Sequence, residues 1–250
     1  MLANEFELYD KKEEHNWWYR GRRSILKSVL SSIENKHEKQ ILEVGCGTGG
    51  NLKYLFNGFK RISGLEIDSL AIEFAEKKLT NVEIIRGDAN KLDEIHGRYD
   101  VVAFCDVLYH FKVISTSSTL LKTREILSRG GYILITDGAF NFLNGQHSRN
   151  VGCARRFTRS ELESILHKAG YEVVRASYWG IIIFILLFIK RVILEKVYST
   201  KEEYSESHDI VSIPIFDNIM EFFLSIEAAL IRVVSLPIGA SVVILAKKKA

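Results

Sequence analysis

Proline is almost missing, with Pro214 and Pro237 the only two in 250 residues, so no proline-rich linker divides the chain ahead of them. Cysteine is equally scarce. Cys46, Cys105 and Cys153 are odd in number and lack metal-ligand spacing, which predicts three reduced thiols in a cytoplasmic protein and no metal centre. A net charge of +3 is too small to suggest a long phosphate footprint, so no nucleic-acid partner is expected. The amino-terminal residues are too acidic and polar for a signal peptide. No apolar run reaches the length of a membrane span, since Ile181 to Ile189 covers half of one or less before Lys190 and Arg191 interrupt it. What remains is an ordinary folding composition, 47% apolar and 26% charged, sufficient for one substantial core.

The chain is organised around Ile41-Leu42-Glu43-Val44-Gly45-Cys46-Gly47-Thr48-Gly49-Gly50-Asn51-Leu52. A short apolar run ends in glycines at alternate positions and passes into a helical pattern, which predicts a first strand turning tightly beneath a nucleotide-like ligand. Glycine allows positive φ and close backbone approach, and the following helix offers unpaired N–H groups. Arg61 to Ile67 reads as the second strand, with Glu66 about twenty residues beyond the loop, where a carboxylate accepts from a ribose diol. Asp68 is either a second site acid or the cap of the helix that follows. Asn81 to Ile85, Tyr99 to Cys105 and Tyr132 to Thr136 read as the third, fourth and fifth strands, alternating with helical patterns. That alternation predicts a mostly parallel sheet covered by helices on both faces, with the ligand beyond the carboxyl ends of the strands.

A glycine-alternating loop alone does not separate dinucleotide oxidoreductases from methyltransferases, and a nicotinamide-dependent oxidoreductase stays as the less favoured alternative. At these residues the sequence resembles the class I S-adenosylmethionine-dependent methyltransferases over roughly residues 37 to 178, with several separated motifs in the family's order. The resemblance implies a Rossmann-like α/β fold and S-adenosyl-L-methionine as cofactor. It implies that Glu43, Gly45, Cys46, Gly47 and Gly49 wrap the methionine portion, Glu66 holds the ribose hydroxyls and Ile67 flanks the adenine. Asp88 would accept from the adenine amino group beside Ala89, and the Asp106 to His110 segment would border cofactor and acceptor. Ser128-Arg129-Gly130-Gly131 departs from the family's commoner turn, at a position expected to lie on the surface.

Tyr171 to Ser177 and Ala240 to Ala246 read as the last two strands, which the resemblance makes an antiparallel pair with the seventh strand between the fifth and sixth. About sixty residues intervene, with an apolar helical run after Gly180 and a second from Ile215 to Val234. This divides the chain into a helical arm or lid (1–36), a cofactor-binding core (37–178), an apolar helical cap inserted between the last two strands (179–239) and the final strand (240–250). Three uses of the insertion stay open: a cap over the acceptor, a face against lipid headgroups, and a homodimer interface.

On the acceptor side His110 is the candidate catalytic base, its natural pKa lying near neutrality, with a wall residue as the alternative. The candidates for substrate binding are Trp17, Trp18, Tyr19, Arg20 and Arg23 in the arm, with His147, Arg155 and Arg156 downstream. The two groups of arginines would form a basic mouth for an anionic group, or else be solvated around helix starts. Thr158 or Ser160 is expected to cap a helix with Glu161 in its first turn. The segment His15 to Arg23, with Arg155-Arg156-Phe157-Thr158 and Leu236 to Ser241, is similar to bacterial and archaeal methyltransferases associated with polysaccharide or lipid-linked sugar pathways. The expected activity is methyl transfer to a small, amphipathic or lipid-like acceptor; the rival is a non-catalytic cofactor-binding or scaffold protein. The location expected is the cytoplasm, with membrane association open.

Overall fold

The computed structural model describes residues 3–145, 148, 151–190 and 214–249. Its centre is a seven-stranded sheet formed by β1 (Gln40–Val44), β2 (Arg61–Glu66), β3 (Glu83–Arg86), β4 (Tyr99–Cys105), β5 (Leu127–Gly138), β6 (Tyr171–Trp179) and β7 (Ser241–Lys248). The spatial order is β3-β2-β1-β4-β5-β7-β6, parallel except for β7, which runs antiparallel between β5 and β6. The strands expected from the sequence are all present, and the seventh does lie between the fifth and sixth. Strand order reverses between β1 and β4, and this switch point opens the crevice where α/β sheets hold their ligands.

The helices are α1 (Ala3–His15), α2 (Trp17–Leu30), α3 (Gly50–Tyr54), α4 (Ser69–Lys78), α5 (Thr116–Ile126), α6 (Arg159–Lys168), α7 (Ile181–Phe188) and α8 (Pro214–Ile231). One sheet face packs Leu120 of α5 and Leu162 and Leu166 of α6 onto Val102, Phe104, Ile133 and Ile244. The other packs Ile25, Leu26 and Val29 of α2 and Leu52 of α3 onto Ile41, Val101, Ala103 and Leu134, with Met220 and Leu224 of α8 in the same cluster. Residues on β1 and β4 alternate between these clusters, as a sheet buried on both sides requires.

Local chemistry explains several element starts. Asn16 caps α2 through the Trp18 N–H, Asp68 caps α4 through Leu70 and Ala71, and Thr158 with Glu161 forms a reciprocal capping box on α6. Of the two roles open to Asp68, the structure displays the cap. One boundary differs from expectation. Arg129-Gly130-Gly131 lie inside β5, which starts at Leu127 opposite Tyr99 and then shifts register, with Gly130 at φ 70° absorbing the irregularity.

Both apolar patterns between β6 and β7 are helical where described. α8 lies along α2, so closely that a β-carbon on Gly21 would stand 2.2 Å from Leu224 Cδ1. The α7 amino terminus is held against α8, because Gly180 and Ile181 N–H groups donate to the Glu227 carboxylate at 2.6 and 2.9 Å. No helix among the described residues is long and apolar enough to cross a membrane. The polar connection from Ser199 to Asp209, together with Arg191, Glu195 and Lys196, lies outside the described residues.

Candidate cofactor and acceptor site

The glycine loop joins β1 to α3 at the switch point. Gly45, Gly47 and Gly49 take φ of 70°, 54° and 83°, left-handed values that disfavour other residues. A β-carbon on Gly47 would meet nothing within 4 Å, so the loop is open at this position. Gly45 and Cys46 N–H groups donate to the Leu65 carbonyl of β2, anchoring the loop from below.

Glu66 sits at the β2 tip. Its Oε2 accepts from Gly47 N at 2.9 Å, and its Oε1 from Ile67 N at 2.8 Å and Asp68 N at 3.0 Å. A carboxylate has about four acceptor positions, so three amides orient the group and leave about one position for a ribose hydroxyl. Ile67, 45% exposed, presents an apolar side chain beside it. Asp88 caps the 3₁₀ turn Ala89–Glu94, its Oδ1 accepting from the Asn90 backbone N–H and side-chain amide. Asn90 also bonds the Lys112 carbonyl and the Ile114 N–H, tying this corner to the loop after β4. An open glycine loop, an oriented carboxylate one strand away and an exposed aliphatic side chain fit the methionine, ribose and adenine parts of S-adenosylmethionine.

Two residues expected to touch the cofactor have buried side chains. Glu43 is buried beneath the loop, where its Oε1 accepts from Asn51 Nδ2 at 2.7 Å, so it braces α3 against β1. Burial pushes its pKa up to about 8, against the opposing pull of Asn51 and Arg22. The Cys46 side chain points into β2, with Sγ 2.6 Å from where a Gly64 β-carbon would stand; burial raises this thiol well above its ordinary pKa. Its backbone alone belongs to the loop.

The amino-terminal helices reach the same edge of the sheet. Glu13 Oε2 accepts from Thr48 Oγ1 at 2.5 Å and Lys78 Nζ at 3.0 Å, and Lys78 also pairs with Asp10, so α1 is fastened to the glycine loop and α4. On α2, Trp18 stacks on Trp179 at the end of β6, 4.9 Å between centroids, and buried Trp17 meets Trp18 and Phe216 edge-on. Arg22 is buried and pairs with Asp106 at the end of β4 while lying over the Tyr19 ring. Although burial opposes its charge, the Asp106 carboxylate holds the guanidinium ionised. Asp106 itself takes φ 59°, a left-handed value uncommon outside glycine.

The arginines therefore do not form the solvated face or the single basic mouth expected. Arg23, also buried, donates to the Glu13 carbonyl and lies over Tyr54, while Arg20 pairs with Glu221 of α8 at 2.9 Å. Arg156 spends its guanidinium on Asn144, Ala139 and Ser148, bracing the segment after β5. Arg155 is half-buried, and one contact is a long 3.4 Å bond to Thr116 Oγ1. His147 lies outside the described residues.

His110 follows β4 as expected, but its geometry differs from that of a base. Its Nδ1 accepts from Lys112 N at 3.1 Å, so the neutral ring carries its proton on Nε2 and presents a donor. Burial, with Lys112 nearby, lowers its pKa and favours that neutral form. The ring stacks on Phe111 at 4.6 Å and its Nε2 lies where a Gly152 side chain would begin. Asp137 is fully buried at the β5 end and accepts from Tyr109 N at 3.3 Å. Burial and the neighbouring Asp106 raise its pKa well above its ordinary value. Arg22 and Glu13 were missed as contacts. The signal for Arg22 was its place in the stripe Trp18, Arg22, Leu26, Val29, at helical spacing among buried residues.

Beyond the β5 end stands an aromatic wall. Phe140 stacks on Phe142 and Tyr178 at 5.3 and 4.9 Å, and Phe184 of α7 meets Phe140 and Phe142 edge-on.

Comparison with known proteins agrees with this geometry. A methyltransferase-domain family matches residues 17–176, more than half the chain. The chain is 23% identical over 147 residues to an uncharacterized methyltransferase of Oceanobacillus iheyensis, covering 59% of this chain and 68% of that protein. It is 31% identical over 103 residues to the fatty-acid O-methyltransferase of Mycolicibacterium smegmatis, covering 40% of this chain and 37% of that one. Among solved structures, the plantazolicin methyltransferase in complex with a triazolic desmethylPZN analogue and SAH superposes with a TM-score of 0.60 at 17% identity, covering 99% of this chain and 91% of that one. With its strand order, glycine loop and matched family together, the chain belongs to the class I S-adenosylmethionine-dependent methyltransferases.

Proposed function

We propose that this chain moves the methyl group of S-adenosylmethionine to a small amphipathic acceptor with an apolar tail and an anionic head. The observation that carries the reading is the aromatic wall beyond β5, at the same carboxyl end of the parallel strands as the glycine loop, where exposed Phe142 and half-buried Phe140 are backed by buried Tyr178 and Phe184. Aromatic faces of this kind bury a large apolar area at small entropic cost. Arg155 is the head-group ligand in this reading, since Arg20, Arg23 and Arg156 have close partners elsewhere. The partial similarity to a fatty-acid O-methyltransferase supports an acceptor of this class.

The cofactor supplies an electrophilic methyl group; the chain supplies position. Glu66 and the glycine loop fix the nucleoside and methionine ends, and the wall aligns the acceptor. His110, a donor through Nε2 when neutral, orients the acceptor's accepting atom rather than removing its proton. A carboxylate or another ready nucleophile suits a site arranged in this way, because it needs no base.

The test incubates the protein with radiolabelled S-adenosylmethionine and cell extract, then partitions the label between organic and aqueous phases. Organic-phase label that disappears in Glu66→Ala supports the proposal. Label confined to the aqueous phase rules out the apolar tail, and cofactor binding without transfer favours the non-catalytic reading.

A further inference from the structure

We propose that the outward faces of α7 and α8 dock this protein on an anionic lipid bilayer. The proposal rests on the amphipathic-acceptor reading for its purpose, though its physical basis is separate. α8 is apolar on two sides. Met220, Leu224, Ala228 and Ile231 are buried on the side that meets α2, whereas Phe216, Ile219, Phe223, Ile226 and Leu230 form an exposed stripe at alternating spacings of three and four. Phe222, 62% exposed, stands beside the stripe. Between Phe216 and Leu230 no exposed residue carries a charge; Asn218 and Ser225 are the polar ones among them. Asp217 and Glu221 are half-buried and Glu227 is buried, so the helix withdraws its acids from the outer face. A helix facing water places its charges outward, the reverse of this pattern.

α7 repeats the arrangement. Ile185, Leu186, Phe188 and Ile189 are exposed, and Lys190 follows at the end. The Glu227 bonds to Gly180 and Ile181 fix its amino terminus against α8, so the two helices sit on one corner of the molecule. The inner side of α7 carries Phe184, part of the aromatic wall, which links this corner to the acceptor region.

Charge selects the occupant. Exposed cations flank the apolar faces: Arg232 just beyond α8 and Lys190 beyond α7. Apolar side chains rimmed by Lys and Arg suit the boundary between acyl chains and anionic headgroups, and among the described residues neither helix is long and apolar enough to span a bilayer. A second copy of the chain is less suited, because protein interfaces carry about one hydrogen bond per 100–200 Å², and this stripe offers few polar groups. Docked there, the protein receives an amphipathic acceptor from the membrane along α7.

The experiment is co-sedimentation of the full chain with phosphatidylcholine vesicles, with and without phosphatidylglycerol. Its variants are Phe223→Glu and Ile226→Glu on the exposed stripe, each checked for folding by circular dichroism and for cofactor affinity. Binding that strengthens with phosphatidylglycerol, weakens with salt, and falls by about tenfold or more in either folded variant supports the proposal. A folded wild-type protein that ignores both vesicle types overturns it. So does a concentration-dependent dimer, dissociated by Ile226→Glu, that does not bind vesicles, since the face then belongs to a second copy. Vesicle binding uses no methyl transfer, so a wrong acceptor class shows in the partition assay and a wrong docking face shows here.

Discussion

Arg22 on α2 donates through Nη1 to Oδ2 of Asp106 at the end of β4, joining the amino-terminal helix to the loop beside the cofactor crevice. The cation is buried and the anion about a quarter exposed. Removing one partner leaves the other charge poorly compensated. Arg22→Met should therefore destabilise the fold by roughly 2 to 4 kcal/mol, the lower side of the range for fully buried pairs because water reaches Asp106. Arg22→Met with Asp106→Asn should recover part of that loss. Denaturant melts of the two single variants and the double variant provide the cycle, and strict additivity would show that the pair has no coupling.

Glu66 makes the sharpest ligand prediction. Its three amide bonds fix a carboxylate beside an open glycine loop, and a ribose hydroxyl adds a charge-assisted hydrogen bond worth about 1.5 to 3 kcal/mol. Glu66→Gln should weaken S-adenosylmethionine binding by about tenfold to a hundredfold in calorimetric titration, without loss of secondary structure. Unchanged affinity would place the nucleoside elsewhere.

The cofactor half was legible because its constraints are local. Alternate glycines report positive φ, an acid closing the second strand pattern is found at the strand tip, and hydrophobic alternation reports each strand. The acceptor half was less legible because its contacts join distant segments. Nothing near Glu13 foretells Thr48 and Lys78 as its partners, and the arginine cluster was read by composition when each guanidinium takes a different partner. His110 was placed correctly after β4, but its role depended on a bond from Lys112 N that residue type does not encode. The glycines in Arg129-Gly130-Gly131 suggested a turn, whereas strand pairing across a bulge kept them in β5.

Glu43 should make stability depend on pH. Its folded pKa is about 8 against an ordinary 4.5, so between these values the native state keeps a proton that the unfolded chain has released. Stability therefore falls as pH rises through that window, by an amount on the order of 2 to 4 kcal/mol. Glu43→Gln keeps an acceptor for Asn51 and removes the titration. Melting temperatures from pH 5 to about 8 should decline more steeply for the wild type than for this variant; parallel curves would mean that Glu43 ionises without cost.

His110→Gln should retain methyl transfer within about threefold, since a glutamine also supplies a donor and the site relies on positioning. The pH profile of kcat/KM is the more diagnostic measurement. A catalytic base of lowered pKa would put an acidic limb below the ordinary histidine range, and the variant would abolish it. With Nδ1 occupied by Lys112 N, no such limb should be assigned to His110. A wild-type limb that vanishes in the variant would restore the base.

Glu227 tests whether the two apolar helices act as one unit. It is buried, and its oxygens accept from Gly180 and Ile181 N–H, the first donors of α7. Glu227→Ala leaves those donors without a partner and should cost about 1 to 3 kcal/mol. The effect should be local as well as global. α7 would lose its anchor to α8, so amide exchange at residues 180–184 should rise before that of β6 or β7, whose ladder bonds are independent of Glu227. Glu227→Gln keeps one acceptor and should show a smaller change. Uniform acceleration across the sheet would make Glu227 part of the general core, and unchanged exchange at α7 would mean that Phe184 and its aromatic neighbours hold the helix without it.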